Sequence, residues 1–455
     1  MAKQVFRRWD VSQGEMFPPT FRELVPAGHL VHFVRRLVVE DLDLGAIYAT
    51  YTETKGQPPY DPRLMTGLLL YCYSRGIYTS RAIERACEER LDVRALVGSE
   101  HPDHSTIAKF RKDHLEALSG LFVQVLALCR DAGMARLGHV SLDGTKVRAN
   151  ASRHSAMSYK RMLAAEPELA RIVKEWLESA RQGDEQDDVD FGEALRGDEV
   201  PEHVKAAAHK LAKVIAARER LEAEAKEEAE RIAAERAAKE EERGRKLGGR
   251  PPKALGGVPE DKAQSNFTDP ESRIMKTKDG YQQCFNAHAA VDAEDQVIVS
   301  QDVTATQNDG AELESMVDQI ETNTGRRPEQ LSADAGYCSE DNLAALEERE
   351  IDAYVATGRQ KHGNASATGD GDKPLQPRAA AMREKLRAGG WESPNRLRKH
   401  TVEPVFGQIK EARGFRRFLL RGLQNVKGEW GLLCTAHNLL KLAHATAARP
   451  VCAIA

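Results

Sequence analysis

Apolar positions follow two different periods along the chain. Over the first 133 residues they recur every three or four positions, as in amphipathic helices. The spacing predicts helices over His29–Glu40, over Asp61–Arg75 with Pro62 suited to the first turn, and over Ser80–Arg90 with Ser80 as cap. Ser105 is placed to cap a further helix that turns Ile107, Phe110 and Leu115 inward and Lys109, Arg111 and Lys112 outward. Short helices joined by tight turns, the later one basic, fit either a helix-turn-helix DNA reader or a plain bundle. After about residue 258 the pattern alternates. Gln282–Ala290, Gln296–Asp302, Gln330–Ala333 and Ala353–Ala356 read as strands, and Gly310–Thr322 and Ser339–Arg349 as helices. Such alternation implies a mixed sheet covered by helices, an α/β core.

Between these regions, from Tyr159 to Gly257, the pattern is of another kind. An acidic loop, Gly183–Asp190, precedes a long Ala/Glu/Lys/Arg helix through Lys246. Val204, Leu211, Ala225 and Ile232 share one heptad position and Ala207, Val214 and Leu221 another, with Arg218 and Glu228 interrupting the seam. A solvated helical hairpin inserted in the core is the simpler reading, an intermolecular coiled coil the alternative. Its end, Arg243–Lys253, has a Gly249-Arg250-Pro251 centre similar to an AT-hook, in which an Arg lies in a narrow minor groove. A basic flexible linker accounts for the same residues. The chain thus divides into a helical DNA-binding part (1–133), an α/β core (134–158 and 258–445) and a charged helical insertion with a basic arm (159–257).

Composition changes this picture little. With 455 residues the chain can hold two or three domains. A formal net charge of -4 argues against a uniformly basic nucleic-acid binder, so the distribution of charge decides. From Arg396 to Trp430, nine basic residues (Arg396, Arg398, Lys399, Lys410, Arg413, Arg416, Arg417, Arg421, Lys427) stand against Glu403, Glu411 and Glu429, which predicts a basic surface. The 7 cysteines show no Cys-x-x-Cys pair and no close His-Cys cluster, so neither zinc nor a disulfide framework is indicated, and a reducing cytoplasmic setting is expected. Met1-Ala2-Lys3-Gln4 offers no apolar signal core, and the longest apolar runs are too short to span a bilayer. No membrane role is expected.

Candidate chemistry rests on three acids. Val140–Thr145 and Leu331–Tyr337 each read as a short strand delivering an Asp, Asp143 and Asp334, shortly before a glycine. Glu403 lies in an apolar helical pattern, Val402–Lys410, where a carboxylate requires a partner. Two acids on strand ends and one on a helix suit a two-metal phosphoryl-transfer site, because a hard ion such as Mg²⁺ is gripped by one or two carboxylates plus substrate oxygens. Lys410 stands two turns beyond Glu403 on the same helix face, placed to bind a phosphate. Asp309, in Thr306-Gln307-Asn308-Asp309, is placed to cap the next helix. Trp391 and Trp430 are large enough to stack on an extruded base, with core packing the readier account.

These acids, with Lys410, resemble those of the DDE transposases of bacterial insertion sequences. The resemblance extends to Asp143-Gly144-Thr145-Lys146 with Ala149-Asn150-Ala151-Ser152, to Asn266–Pro270, Asp334–Tyr337 and Arg421-Gly422-Leu423, and Asp309 matches a turn of the family. Where the family often has a Tyr and an Arg before its Glu, this chain has Arg396 and Lys399. The resemblance implies a ribonuclease-H-like mixed sheet with an all-α N-terminal domain and a helical insertion. It implies catalysis and metal binding by Asp143, Asp334 and Glu403 with two Mg²⁺ or Mn²⁺ ions. Double-stranded DNA, both the element's ends and the target, is the implied partner, cut and joined by a homodimer or higher assembly. DNA contacts are expected from Lys146, Arg250, Lys399, Lys410, Arg413, Arg416 and Arg417. The rival reading is a catalytically silent DNA-binding protein derived from such an element.

Overall fold

The computed structural model describes residues 20–52, 58–191, 201–246, 256–358, 367–368 and 375–448. The N-terminal part is helical: α1 (Leu30–Arg36) running into a π-turn (Leu37–Asp41), α2 (Gly45–Tyr48), α3 (Pro62–Ser74), α4 (Ser80–Glu89), α5 (Leu91–Val97), α6 (His104–Asp113) and α7 (Leu115–Asp131). Pro62 does open α3, behind an Asp61 cap. The caps of α4 and α6 differ from the sequence reading: Thr79 caps α4, and Asp103, not Ser105, accepts from the first backbone N–H groups of α6. Arg111, expected on the outer face of α6, is buried and donates to the Tyr73 hydroxyl and the Tyr78 carbonyl.

The sheet comprises β1 (His139–Arg148), β4 (Arg273–Thr277), β5 (Gly280–Asp292), β6 (Ile298–Thr304), β7 (Gln330–Ala333) and β8 (Asp352–Val355), in the order β4-β5-β1-β7-β8 with β6 also on β5. Two short strands, β2 (Ala156–Ser158) and β3 (Gln264–Asn266), pair apart from it. Helices α8 (Tyr159–Phe191) and α9 (Glu202–Arg243) lie between β2 and β3 in sequence. The rest are α10 (Leu313–Thr324), α11 (Glu340–Glu348), α12 (Pro377–Gly389), α13 (Val402–Gly407) and α14 (Leu423–Ala448). β1 runs antiparallel to β5 and β7 runs parallel to β1. The sheet is therefore mixed, and no helix among the described residues is long and apolar enough to cross a membrane.

One continuous apolar core joins the N-terminal helices to the sheet. Leu68 and Tyr71 of α3, Leu121 and Val125 of α7, and Trp430 and Leu433 of α14 all belong to it. The α8–α9 pair has a separate small core, in which Ala207, Val214 and Leu221, one of the heptad seams, meet Tyr159, Met162 and Leu169 of α8. That seam is satisfied within the chain. Because the two cores are distinct, replacing residues 159–262 with a short Gly/Ser bridge is expected to leave a single cooperative melt. An unfolded product in circular dichroism would show that the hairpin is required by the sheet.

Candidate active site

Strand register brings Asp143 and Asp334 together. β1 and β7 pair in parallel from His139–Gln330 to Leu142–Ala333, and the next residue after each of these segments is an aspartate. Apolar Val140, Leu142, Leu331 and Ala333 hold this pairing in the core. Asp143 does not end its strand, as the sequence suggested, since β1 continues to Arg148. It stands where the parallel pairing ends, because β7 turns away after Ala333 into a 3₁₀ turn, Ala335–Tyr337, capped by Asp334. Farther along β1, Arg148 bridges to Arg417, and Phe418 donates its N–H to the Arg148 carbonyl at 2.8 Å. The gap between these two pairings faces α13.

A residue read from the sequence only as part of the basic surface fills the space between the acids. Arg398, on a 3₁₀ segment Pro394–His400, donates from Nη2 to Asp143 Oδ2 at 2.9 Å and places Nη1 3.6 Å from Asp334 Oδ1. Its side chain is only 12% exposed, against 18% for Asp143 and 52% for Asp334. Burial pushes the Asp143 carboxyl up to about 6, with Asp334 adding to the rise and Arg398 opposing it. Arg398 in turn is held above its ordinary value: burial works against the charge, but Asp143 and Asp334 outweigh it, and Glu403 adds to them. Glu403, in the first turn of α13, is thus electrostatically coupled to the same guanidinium. Lys410 lies on a π-turn (Gln408–Ala412) that follows α13, and its ammonium donates to Thr145 Oγ1 at 3.0 Å and to the Lys146 carbonyl at 2.9 Å.

A fourth acid lies against the glycines that follow the two aspartates. Asp309 makes no side-chain cap bond to the turn that follows it, so the capping role fails. Instead Oδ1 accepts from Asn286 Nδ2 at 2.5 Å. A Cβ on Gly144 would lie 2.9 Å from Asp309 Oδ1, and one on Gly336 2.9 Å from Oδ2. The glycines after the two catalytic candidates are therefore needed for the approach of this carboxylate. Beneath them the Tyr337 hydroxyl and His288 Nδ1 are 2.8 Å apart in the core. Gly144→Ala is expected to cost roughly 1–3 kcal/mol, the usual penalty of overpacking, in a denaturant melt. A variant as stable as wild type would show that Asp309 yields freely.

Two family models match the chain, a transposase domain (DUF772) over residues 19–113 and a transposase DDE domain over residues 257–439. The chain belongs to the DDE transposases. Asp334 and Glu403 fall inside the second match, and Asp143 lies between the two. No curated protein and no solved structure matches the transposase.

Members of this family generally use divalent metal ions. The transposase offers donors of the right kind, hard carboxylate oxygens, of which those of Asp143 and Asp334 are neighbours where the β1–β7 pairing ends. Their present spacing does not fit. Among the described residues no three His, Cys, Asp or Glu side chains stand close enough to hold an ion, and Arg398 fills the space between Asp143 and Asp334.

The basic residues expected on the surface of the transposase divide into two groups. Lys399, Arg416 and Arg417 are exposed, Arg416 being paired with Glu411, and Lys146 is half-buried. Arg413 is turned inward: Nε donates to the Gln408 carbonyl, Nη2 lies 3.2 Å from His437 Nδ1, and burial pulls its pKa down. Arg250 lies outside the described residues. Trp430 is fully buried, whereas Trp391 is 74% exposed with the Arg396 guanidinium 3.1 Å above its ring. Core packing thus accounts for one tryptophan only. Trp391, Arg396, Arg398, Lys399 and Glu403 line a cleft of about 390 Å³ beside the acids.

Proposed function

We propose that this transposase cuts DNA at the ends of its own element and joins the freed 3′-hydroxyls to target DNA, with Asp143, Asp334 and Glu403 as its catalytic acids. The observation that carries the reading is the single guanidinium shared by Asp143 and Asp334 and influenced by Glu403, which marks one site for positive charge. The three acids are the residues that would hold Mg²⁺ or Mn²⁺ if Arg398 left the space between them, and such an ion would supply Lewis-acid chemistry for phosphoryl transfer. Two ends held by a dimer or higher assembly complete the reading. The basic cleft of Arg396 and Lys399, continued by Lys146, Arg416 and Arg417, is the proposed phosphate track. Lys410, already bonded to β1, fixes the position of α13 against the strand that bears Asp143.

Labelled duplexes carrying the DNA that borders the coding sequence test the reading. Cleavage at the end in Mg²⁺, and none with a chelator, is the expected result; binding without cleavage in any divalent ion would favour the silent derivative.

Salt dependence locates the track. Each phosphate contact contributes about 0.9 to the logarithmic salt slope, so Arg416→Ala with Arg417→Ala should flatten it by about two units. Arg413→Ala should instead lower the melting temperature, because its guanidinium bonds within the fold. An unaltered slope in the double variant would place the phosphate track elsewhere.

A further inference from the structure

We propose that Arg398 is the site's own counter-cation, occupying the place a divalent ion takes, so that ion binding requires the arginine to leave, and that DNA phosphate in the adjoining cleft draws it away. The inference rests on the reading of Asp143, Asp334 and Glu403 as metal ligands.

Three observations lead to it. First, the guanidinium spans two carboxylates with different nitrogens, Nη2 on Asp143 and Nη1 towards Asp334, so it lies between them. An ion shared by the same acids would bind at roughly 2.1 Å from their oxygens, within the space these nitrogens take up. Two positive groups cannot share that space. Second, the seat is not built for arginine alone: Nε of Arg398 is buried and has no hydrogen-bond partner among the described residues. A guanidinium carries five N–H donors, and a permanent buried ion pair is favourable only when these are met. Third, an alternative seat adjoins the first. The cleft beside Arg398 is lined by Arg396 and Lys399 against Glu403, with Arg387 paired to Glu384 at its edge, a surplus of positive charge that suits a phosphodiester. Arginine binds phosphate through paired N–H bonds, so a phosphate there offers the guanidinium partners that the acids do not supply. The 3₁₀ segment that bears it has poorer hydrogen-bond geometry than an α-helix, which eases such a swing.

The consequence is a coupling. Without DNA, Arg398 neutralises part of the acid cluster and competes with ions. With DNA, the acids are released and the ion binds where the scissile phosphate lies. Glutamine at 398 removes the competing charge.

Mn²⁺ titration of the full chain, followed by the paramagnetic resonance of the free ion, tests this without any cleavage. Arg398→Gln without DNA is expected to bind Mn²⁺ at least tenfold more tightly than wild type, and a DNA duplex is expected to tighten binding in wild type far more than in the variant. Asp143→Asn in the Arg398→Gln chain should abolish the gain. Arg398→Lys, which keeps the charge but not the two-sided reach, should fall between wild type and Arg398→Gln, and it carries the test if glutamine gives no cooperative melt. Equal or weaker binding by a folded Arg398→Gln chain, with Asp143-dependent binding in wild type, would overturn the proposal and leave the acid assignment standing. Binding that ignores Asp143→Asn in every chain would remove the acid assignment itself, and the proposal with it.

Discussion

Asp143→Asn, Asp334→Asn and Glu403→Gln are each expected to reduce end cleavage by a factor on the order of 10⁴, the scale on which loss of one member of a cooperating catalytic set is felt, while gel-shift affinity for the same DNA does not fall. The separation follows from the geometry. Each substitution removes a negative oxygen from the cluster around Arg398, and none touches Arg396, Lys399, Arg416 or Arg417. Asparagine at 143 keeps the side-chain shape and the acceptor for the Gly144 N–H. Affinity falling in step with cleavage would make these acids structural, and the candidate site would then lie elsewhere.

Trp430→Ala is expected to cost about 3–5 kcal/mol, the range for truncation of a buried aromatic residue. Trp430 is inaccessible to solvent, its indole N–H donates to the His288 carbonyl at 3.1 Å, and its ring lies 6.4 Å from that of Phe406 on α13. It therefore ties α14 both to β5 and to the helix that bears Glu403. The matched change Trp391→Ala, at the cleft rim, should leave the denaturant midpoint where it is and weaken DNA binding. A Trp430→Ala midpoint close to wild type would mean that α14 is not the hub joining the helices to the sheet.

Much of the site was legible because strand-borne acids leave a local mark. A short apolar run followed by Asp and a nearby Gly locates β7 and the start of β1 within a residue or so, whereas β1 runs three residues past Thr145 to Arg148 alongside β5. Asp143 differs from expectation only in lying mid-strand, which depends on where its neighbour departs and so is invisible in its own segment. Arg398 was missed for a different reason. Arg396, Arg398 and Lys399 are alike in charge, and only the turn that carries them sorts them. At three residues per turn, positions 396 and 399 share an edge and face the cleft, while 398 is a third of a turn away and meets the acids.

Arg111 and Arg413 were read as surface residues because charge usually marks a solvated face. Apart from the nearby Gln408 carbonyl, their partners are the Tyr78 carbonyl, the Tyr73 hydroxyl and His437 from distant segments, and nothing in the local sequence marks them as satisfied. Asp309 illustrates the converse. A turn acid before a helix is commonly a cap, and only the approach of two glycines, Gly144 on β1 and Gly336 in the turn after β7, shows that this one lies against the site instead. Helix caps moved by one or two residues, to Thr79 and Asp103, without altering the elements they begin.

Strand transfer decides whether Asp143, Asp334 and Glu403 make this chain a DNA-joining enzyme. A pre-cut end duplex with a free 3′-hydroxyl is incubated with supercoiled plasmid, Mg²⁺ and the full chain, and covalent joining is measured by gel and by sequencing of the junctions. Joined product is expected with wild type, none when the 3′-hydroxyl is replaced by hydrogen, and none with Asp143→Asn. Joined product that persists with Asp143→Asn, or its absence with a wild-type chain that binds the same end, would contradict that reading.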